Sequence, residues 1–184
     1  MYPLLSAAKS SGLRAVVVLG VALAAVLAVT ASDTVGIAGA PVRSRWFVLL
    51  AMAVVCTVPL TPRFMPVELG LAHPLRCFAT RLVVAAVPFG LGLGACLTTA
   101  QNDDAVRWWF VLLVASSILV SAFAPEAGWF ACLGLGSVSI LVDHVSATLP
   151  VTNLVTKGGA PVAFVTLAAA SALYLARGGR PASK

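Results

Sequence analysis

The sequence predicts an all-α integral membrane protein, a single bundle of about six transmembrane helices with both termini on the cytoplasmic side. Three observations carry this expectation. Hydrophobic residues fill 60% of 184 positions and charged residues 10%, with a mean hydropathy of +1.03, beyond the range of soluble domains. The apolar residues form continuous Ala-, Leu- and Val-rich runs rather than the alternation of a β-barrel. Pro, Gly and charged residues bound those runs, and the length leaves room for helices of roughly 20 residues with short links but not for a separate soluble domain.

The first run, Arg14–Ala31, follows Lys9 and ends in the small residues Val29-Thr30-Ala31-Ser32, so it also resembles a signal peptide. An uncleaved helix is expected because the run approaches spanning length. Gly20, Ala24, Ala28 and Ser32 fall four apart and share a face that permits close helix approach. The second run, Trp46–Leu60, is short for a core of about 30 Å. The third, Phe78–Ala100, carries Pro88, where a kink is expected, and Gly90 with Gly94 on a second small-residue face. Both small faces suit packing inside the bundle or a subunit interface. Arg107–Ala124 is the fourth run. The fifth, Gly128–Val142, is again short. The link DHVSATLPVTNLVTKGG precedes the sixth run, Ala160–Ala176; it is apolar enough to dip into the outer leaflet, and a surface loop is the other reading.

Orientation follows from Lys and Arg, which are retained on the cytoplasmic side of span ends. With both termini inside, Lys9, Arg14, Arg63, Arg76, Arg81, Arg177, Arg180 and Lys184 are cytoplasmic, against Arg43, Arg45, Arg107 and Lys157 outside. Trp46, Trp108, Trp109, Trp129 and Tyr174 sit at span ends, where interfacial anchoring is the expected role.

Several chemistries are disfavoured. Cys56, Cys96 and Cys132 lie in apolar runs, Cys77 lies outside any C-x-x-C pair, and all four read as small core residues. His73 and His144 are assigned to opposite faces, so no metal site and no cofactor is expected. Ser137 and His144 lie two turns apart on one helix, about 10 Å, too far for a nucleophile and its base. The bilayer midplane holds no charge for an ion relay. No G-x-x-x-x-G-K-[ST] loop occurs, so ATP hydrolysis would need another chain, and no enzyme activity is expected here. The basic pI near 9.7 is accounted for by cytoplasmic retention and implies no nucleic acid. Abundant Ala, Val and Gly points to a GC-rich bacterial genome, and the multiple apolar spans to a location in the plasma membrane.

The charged island is the connector Thr61–Arg81, which holds Arg63, Glu68, His73, Arg76 and Arg81 between two apolar runs. Glu68 and the stretch Leu71-Ala72-His73-Pro74-Leu75-Arg76, running on to Arg81 and Leu82, resemble the cytoplasmic segment between membrane helices two and three of ABC type-2 permeases. In that family a short coupling helix in this segment docks on the ATPase subunit. The resemblance implies a coupling role for Glu68, His73, Arg76 and Arg81, a separate ATP-binding subunit, and a homo- or heterodimer. The chain is short for the family, and Gly70 and Pro74 would interrupt a regular coupling helix. Binding of anionic headgroups is the alternative use of these arginines. The expected function is a permease subunit for a hydrophobic or amphipathic cargo. The alternative is a small non-catalytic binding or scaffold subunit of a larger complex or uptake system.

Overall fold

The computed structural model describes residues 13–30, 32–37, 40–61, 74–99, 104–145 and 151–178. Among these residues six helices follow one another: α1 (Leu13–Thr30), α2 (Ser44–Thr57), α3 (Pro74–Thr99), α4 (Asp104–Phe123), α5 (Gly128–Val145) and α6 (Val151–Gly178). Four segments are long and apolar enough to cross a membrane, namely Leu13–Thr30, Leu75–Thr98, Asp104–Phe123 and Gly159–Arg177. The apolar parts of the two runs that read as short in sequence, Ser44–Leu60 and Gly128–Val142, are shorter than these four here as well. α2 has 14 residues and gains a 3₁₀ turn at Val58–Leu60, which together reach about 27 Å.

A β-hairpin that the sequence reading did not foresee joins α1 to α2. Strand β1 (Thr34–Ile37) pairs antiparallel with β2 (Ala40–Arg43), with Thr34 opposite Arg43 and Gly36 opposite Pro41. Two backbone bonds clamp its base: Asp33 N–H donates to the Thr30 carbonyl at 3.0 Å and Ser44 N–H to the Asp33 carbonyl at 2.8 Å. Gly36 and Pro41 are poor strand formers, which hid the hairpin, whereas Val42 is fully buried and holds it to the bundle.

The shortest helix is the most central. α2 buries nine of its 14 residues and touches α1, α3, α4 and α5. α4 buries eleven of 20 and packs along the length of α6. The outer helices invert this pattern: α1 buries only Val16, Gly20 and Leu27, while Val18, Leu19, Val21, Val26 and Val29 face outward. Val83, Val87 and Leu97 on α3, Phe130 and Val138 on α5, and Val162 and Val165 on α6 do the same. Exposed apolar side chains thus recur on the outer faces of four helices, which is compatible with a membrane protein.

Several hydroxyl groups bond within their own helices. Thr30, Thr57, Thr80, Thr98, Ser116, Ser117, Ser139 and Thr166 each donate to a backbone carbonyl three or four residues earlier on their own helix, at 2.7–2.9 Å. Such back-bonding removes the need for solvent partners.

Helix direction alternates, and side-chain contacts at each end record it. At one end Trp46 of α2 meets Trp109 of α4 edge-on, ring centroids 4.8 Å apart, and Trp109 Nε1–H donates to Ser139 Oγ of α5 at 2.7 Å. At the other, Tyr174 of α6 packs on Phe78 of α3 at 5.1 Å and donates its hydroxyl to the Leu60 carbonyl at 3.1 Å. Trp46, Trp109 and Tyr174 are thus interior residues, a correction to their reading as interfacial anchors: each finds its polar partner or ring neighbour inside the bundle. Trp108 remains half-buried beside Phe164, and Trp129 is exposed.

α3 runs as one assigned helix through Pro88, whose ring is buried. α6 breaks at Gly159, with φ 59° and ψ −166°, a conformation reserved for glycine, so residues 151–158 form a short helix of their own before the apolar one. The link before the sixth apolar run is therefore partly helical rather than a plain loop.

Candidate functional site

Among the described residues, a partly open cavity of about 230 Å³ lies among α2, α3, α4 and α6. Its floor comes from Cys56 and Thr57 of α2 and from Val114 and Ile118 of α4, all buried. Leu82, Ala86 and Phe89 of α3 and Leu167 and Ser171 of α6 form the rim and keep some exposure. The mouth therefore lies between α3 and α6. Small side chains make the space: Ala85 and Ala86 sit where Leu would fill it, and Ser171 faces them from α6. The Phe78–Tyr174 pair draws α3 and α6 together at one end, and the Phe89–Phe110 stack, 5.7 Å apart, stands at the other.

The lining is almost wholly apolar. The Thr57 hydroxyl is committed to the Val54 carbonyl at 2.7 Å, and among the described residues no Asp, Glu, Lys, Arg or His lines the cavity. Such a lining favours apolar contents, whereas ordered water would find too few polar partners.

The residues singled out in sequence fall in different places. Glu68 and His73 lie outside the described residues. Arg76 is exposed on the first turn of α3, which Pro74 opens in the position that proline favours. Arg81 lies five residues further, on the opposite side of the helix, and is only 9% exposed with a partner inside the protein. Arg76 and Arg81 thus do not share a docking face: the first is available to an aqueous partner and the second is a packing residue of α3.

Gly20 fulfils a packing role, since a Cβ there would stand 3.3 Å from Pro88 Cβ and 3.4 Å from Leu91 Cδ1 of α3. Ala24 is half-buried on the same side, whereas Ala28 is exposed. The contact stripe of α1 is Val16, Gly20, Leu23 and Leu27, with the alternating three- and four-residue steps of helix packing, so it leaves the strict four-residue series after Ala24. Among the described residues, Gly90 and Gly94 have no atom within 4 Å of a built Cβ.

Closer approaches occur at glycines to which the sequence drew less attention. A Cβ on Gly92 would lie 2.7 and 2.9 Å from the Phe110 ring, one on Gly136 would meet Leu50, and one on Gly128 would overlap Ser121 Oγ. The signal for Gly92 was present: Phe78, Arg81, Ala85, Pro88, Gly92 and Cys96 recur at helical period along α3, and all face inward. The pocket had no such signal, because its residues come from four helices and each belongs to an ordinary apolar run.

Cys56, Cys96 and Cys132 are buried and Cys77 is half-buried, all as free thiols. Among the described residues no three His, Cys, Asp or Glu side chains gather as a metal site would require. Ser137 is exposed on α5 and hence outside the interior. Comparison with protein-family models, with curated sequences and with solved structures returns no match.

Proposed function

We propose that the chain is a membrane-spanning permease subunit of an ATP-driven transporter, moving a hydrophobic or amphipathic cargo while a separate chain hydrolyses ATP. The observation that carries this reading is the uncharged, apolar cavity inside a bundle whose outer surface is also apolar. Cargo of that kind needs neither a proton relay nor a charged vestibule. In this reading α2 and α5 cross the bilayer with the four longer helices, in a bacterial plasma membrane with both termini in the cytoplasm, and the bilayer is locally thinned around the shorter two. Arg76, exposed where α3 begins, is the docking residue nearest the resemblance at Glu68–Leu82. The open glycines Gly90 and Gly94 suit a second membrane subunit, either a copy of this chain or a paralogue.

One observation favours the second reading, a substrate-capture or scaffold subunit of a larger uptake system: the cavity is complete within one chain, whereas a dimeric permease builds its path between two. Affinity purification of the tagged chain from its native membrane separates the two. The permease reading expects an ATPase to co-purify and the Arg76→Glu variant to lose it while folding normally. Recovery of a stable complex without any ATPase would overturn it in favour of the capture subunit.

A further inference from the structure

We infer that the slot between α3 and α6 seats one acyl chain of a bilayer lipid, which enters sideways from the membrane. The inference rests on the membrane-spanning reading above and adds a site and a ligand class to it. The mouth opens beside Val83 of α3, which is 67% exposed, and Val165 on the outer side of α6 is 69% exposed, so hydrocarbon is the medium around the entrance. Along α3 the lining runs from Leu82 to Phe89, about two turns or 10 Å. A volume of about 230 Å³ over that length gives a mean cross-section of about 23 Å², room for a polymethylene chain. The volume also exceeds the roughly 150 Å³ apolar cavity that is known to take up benzene. With Thr57 already bonded to its own helix, the described floor offers no free hydroxyl to select a polar headgroup. The headgroup stays at the bilayer surface and only the tail is held.

A bound tail would touch residues that the bilayer cannot otherwise reach. Val114 and Ile118 are 3% and 5% exposed on the central helix α4, and the slot is their route to hydrocarbon. The test uses the full chain in nanodiscs containing a phosphatidylcholine with a diazirine at mid-chain, irradiated and mapped by peptide mass spectrometry. The expected result is adducts on Val83 and Val165 and also on Val114 and Ile118. Ala86→Trp, which fills the mouth from α3, removes the α4 adducts and leaves the outer ones, and Ser171→Leu, which fills it from α6, does the same. Adducts at Val83 and Val165 with none at Val114 or Ile118 overturn the slot while leaving the membrane reading intact. Adducts at none of the four positions overturn the membrane reading and the slot with it.

Discussion

Alanine substitutions at Gly90, Gly92 and Gly94 separate helix propensity from packing within two turns of α3. All three gain about 1 kcal/mol from replacing glycine in a helix interior. At Gly90 and Gly94 a new Cβ meets nothing within 4 Å, so that gain stands alone. At Gly92 the Cβ would fall 2.7 and 2.9 Å from Phe110 Cζ and Cε1 and 3.3 Å from Met52 Cε. Phe110 is fully buried and stacked on Phe89, so its ring cannot swing clear. Overpacking of this kind costs about 1–3 kcal/mol. Because the propensity gain is common to all three, Gly92→Ala should be about 1–3 kcal/mol less stable than Gly90→Ala or Gly94→Ala. Reversible unfolding in mixed detergent micelles measures the difference. Phe110→Leu, which removes the colliding ring atoms, should recover part of the loss in Gly92→Ala, a favourable coupling of about 0.5 kcal/mol or more. Equal stability of the three alanine variants would refute the inward placement of Gly92.

The same assay checks three further expectations. Tyr174→Phe removes the only hydroxyl bonded to the Leu60 carbonyl among the described residues and should cost about 1 kcal/mol, with ring packing on Phe78 kept. Ser139→Ala deprives the Trp109 indole of its acceptor and should cost about 1 kcal/mol, an effect absent in a Trp109→Phe background. Gly128→Ala drives a Cβ into Ser121 Oγ at the start of α5 and should destabilise by about 1–3 kcal/mol, whereas adding Ser121→Ala should relieve most of it. Additive losses in either double variant would show that the paired contacts are absent.

Much of the bundle was legible because a run of apolar residues bounded by Pro, Gly or charge has few alternatives in a chain of this composition. Element ends were less so. α3 begins at Pro74 rather than Phe78, since proline serves as a first helical residue and Arg76 and Arg81 do not break a helix. Periodicity, rather than identity, decided which small residues matter: Gly90, Gly92 and Gly94 look alike in sequence, yet a turn of 100° per residue sends only Gly92 inward. The aromatic residues misled for a related reason. A Trp or Tyr near a span end is amphipathic whether its polar atom meets a headgroup or, like Trp109 and Tyr174, a buried Ser or carbonyl. The cavity was invisible because it is the space that Ala85, Ala86 and Ser171 leave unfilled on separate helices, a property of their juxtaposition.

That α2 crosses the membrane, despite its 14 residues, is the claim on which the rest depends. It joins the hairpin, where Val35 is 47% exposed, to the end of the bundle where Arg76 is exposed at the start of α3. Single cysteines at these two positions, Val35→Cys and Arg76→Cys, placed in a chain with Cys56, Cys77, Cys96 and Cys132 replaced by alanine, can be probed in intact cells with a membrane-impermeant maleimide. The expected result is labelling of Val35→Cys from outside and of Arg76→Cys only after permeabilisation. Labelling of both from the same side would contradict a membrane-crossing α2, and with it the six-span bundle.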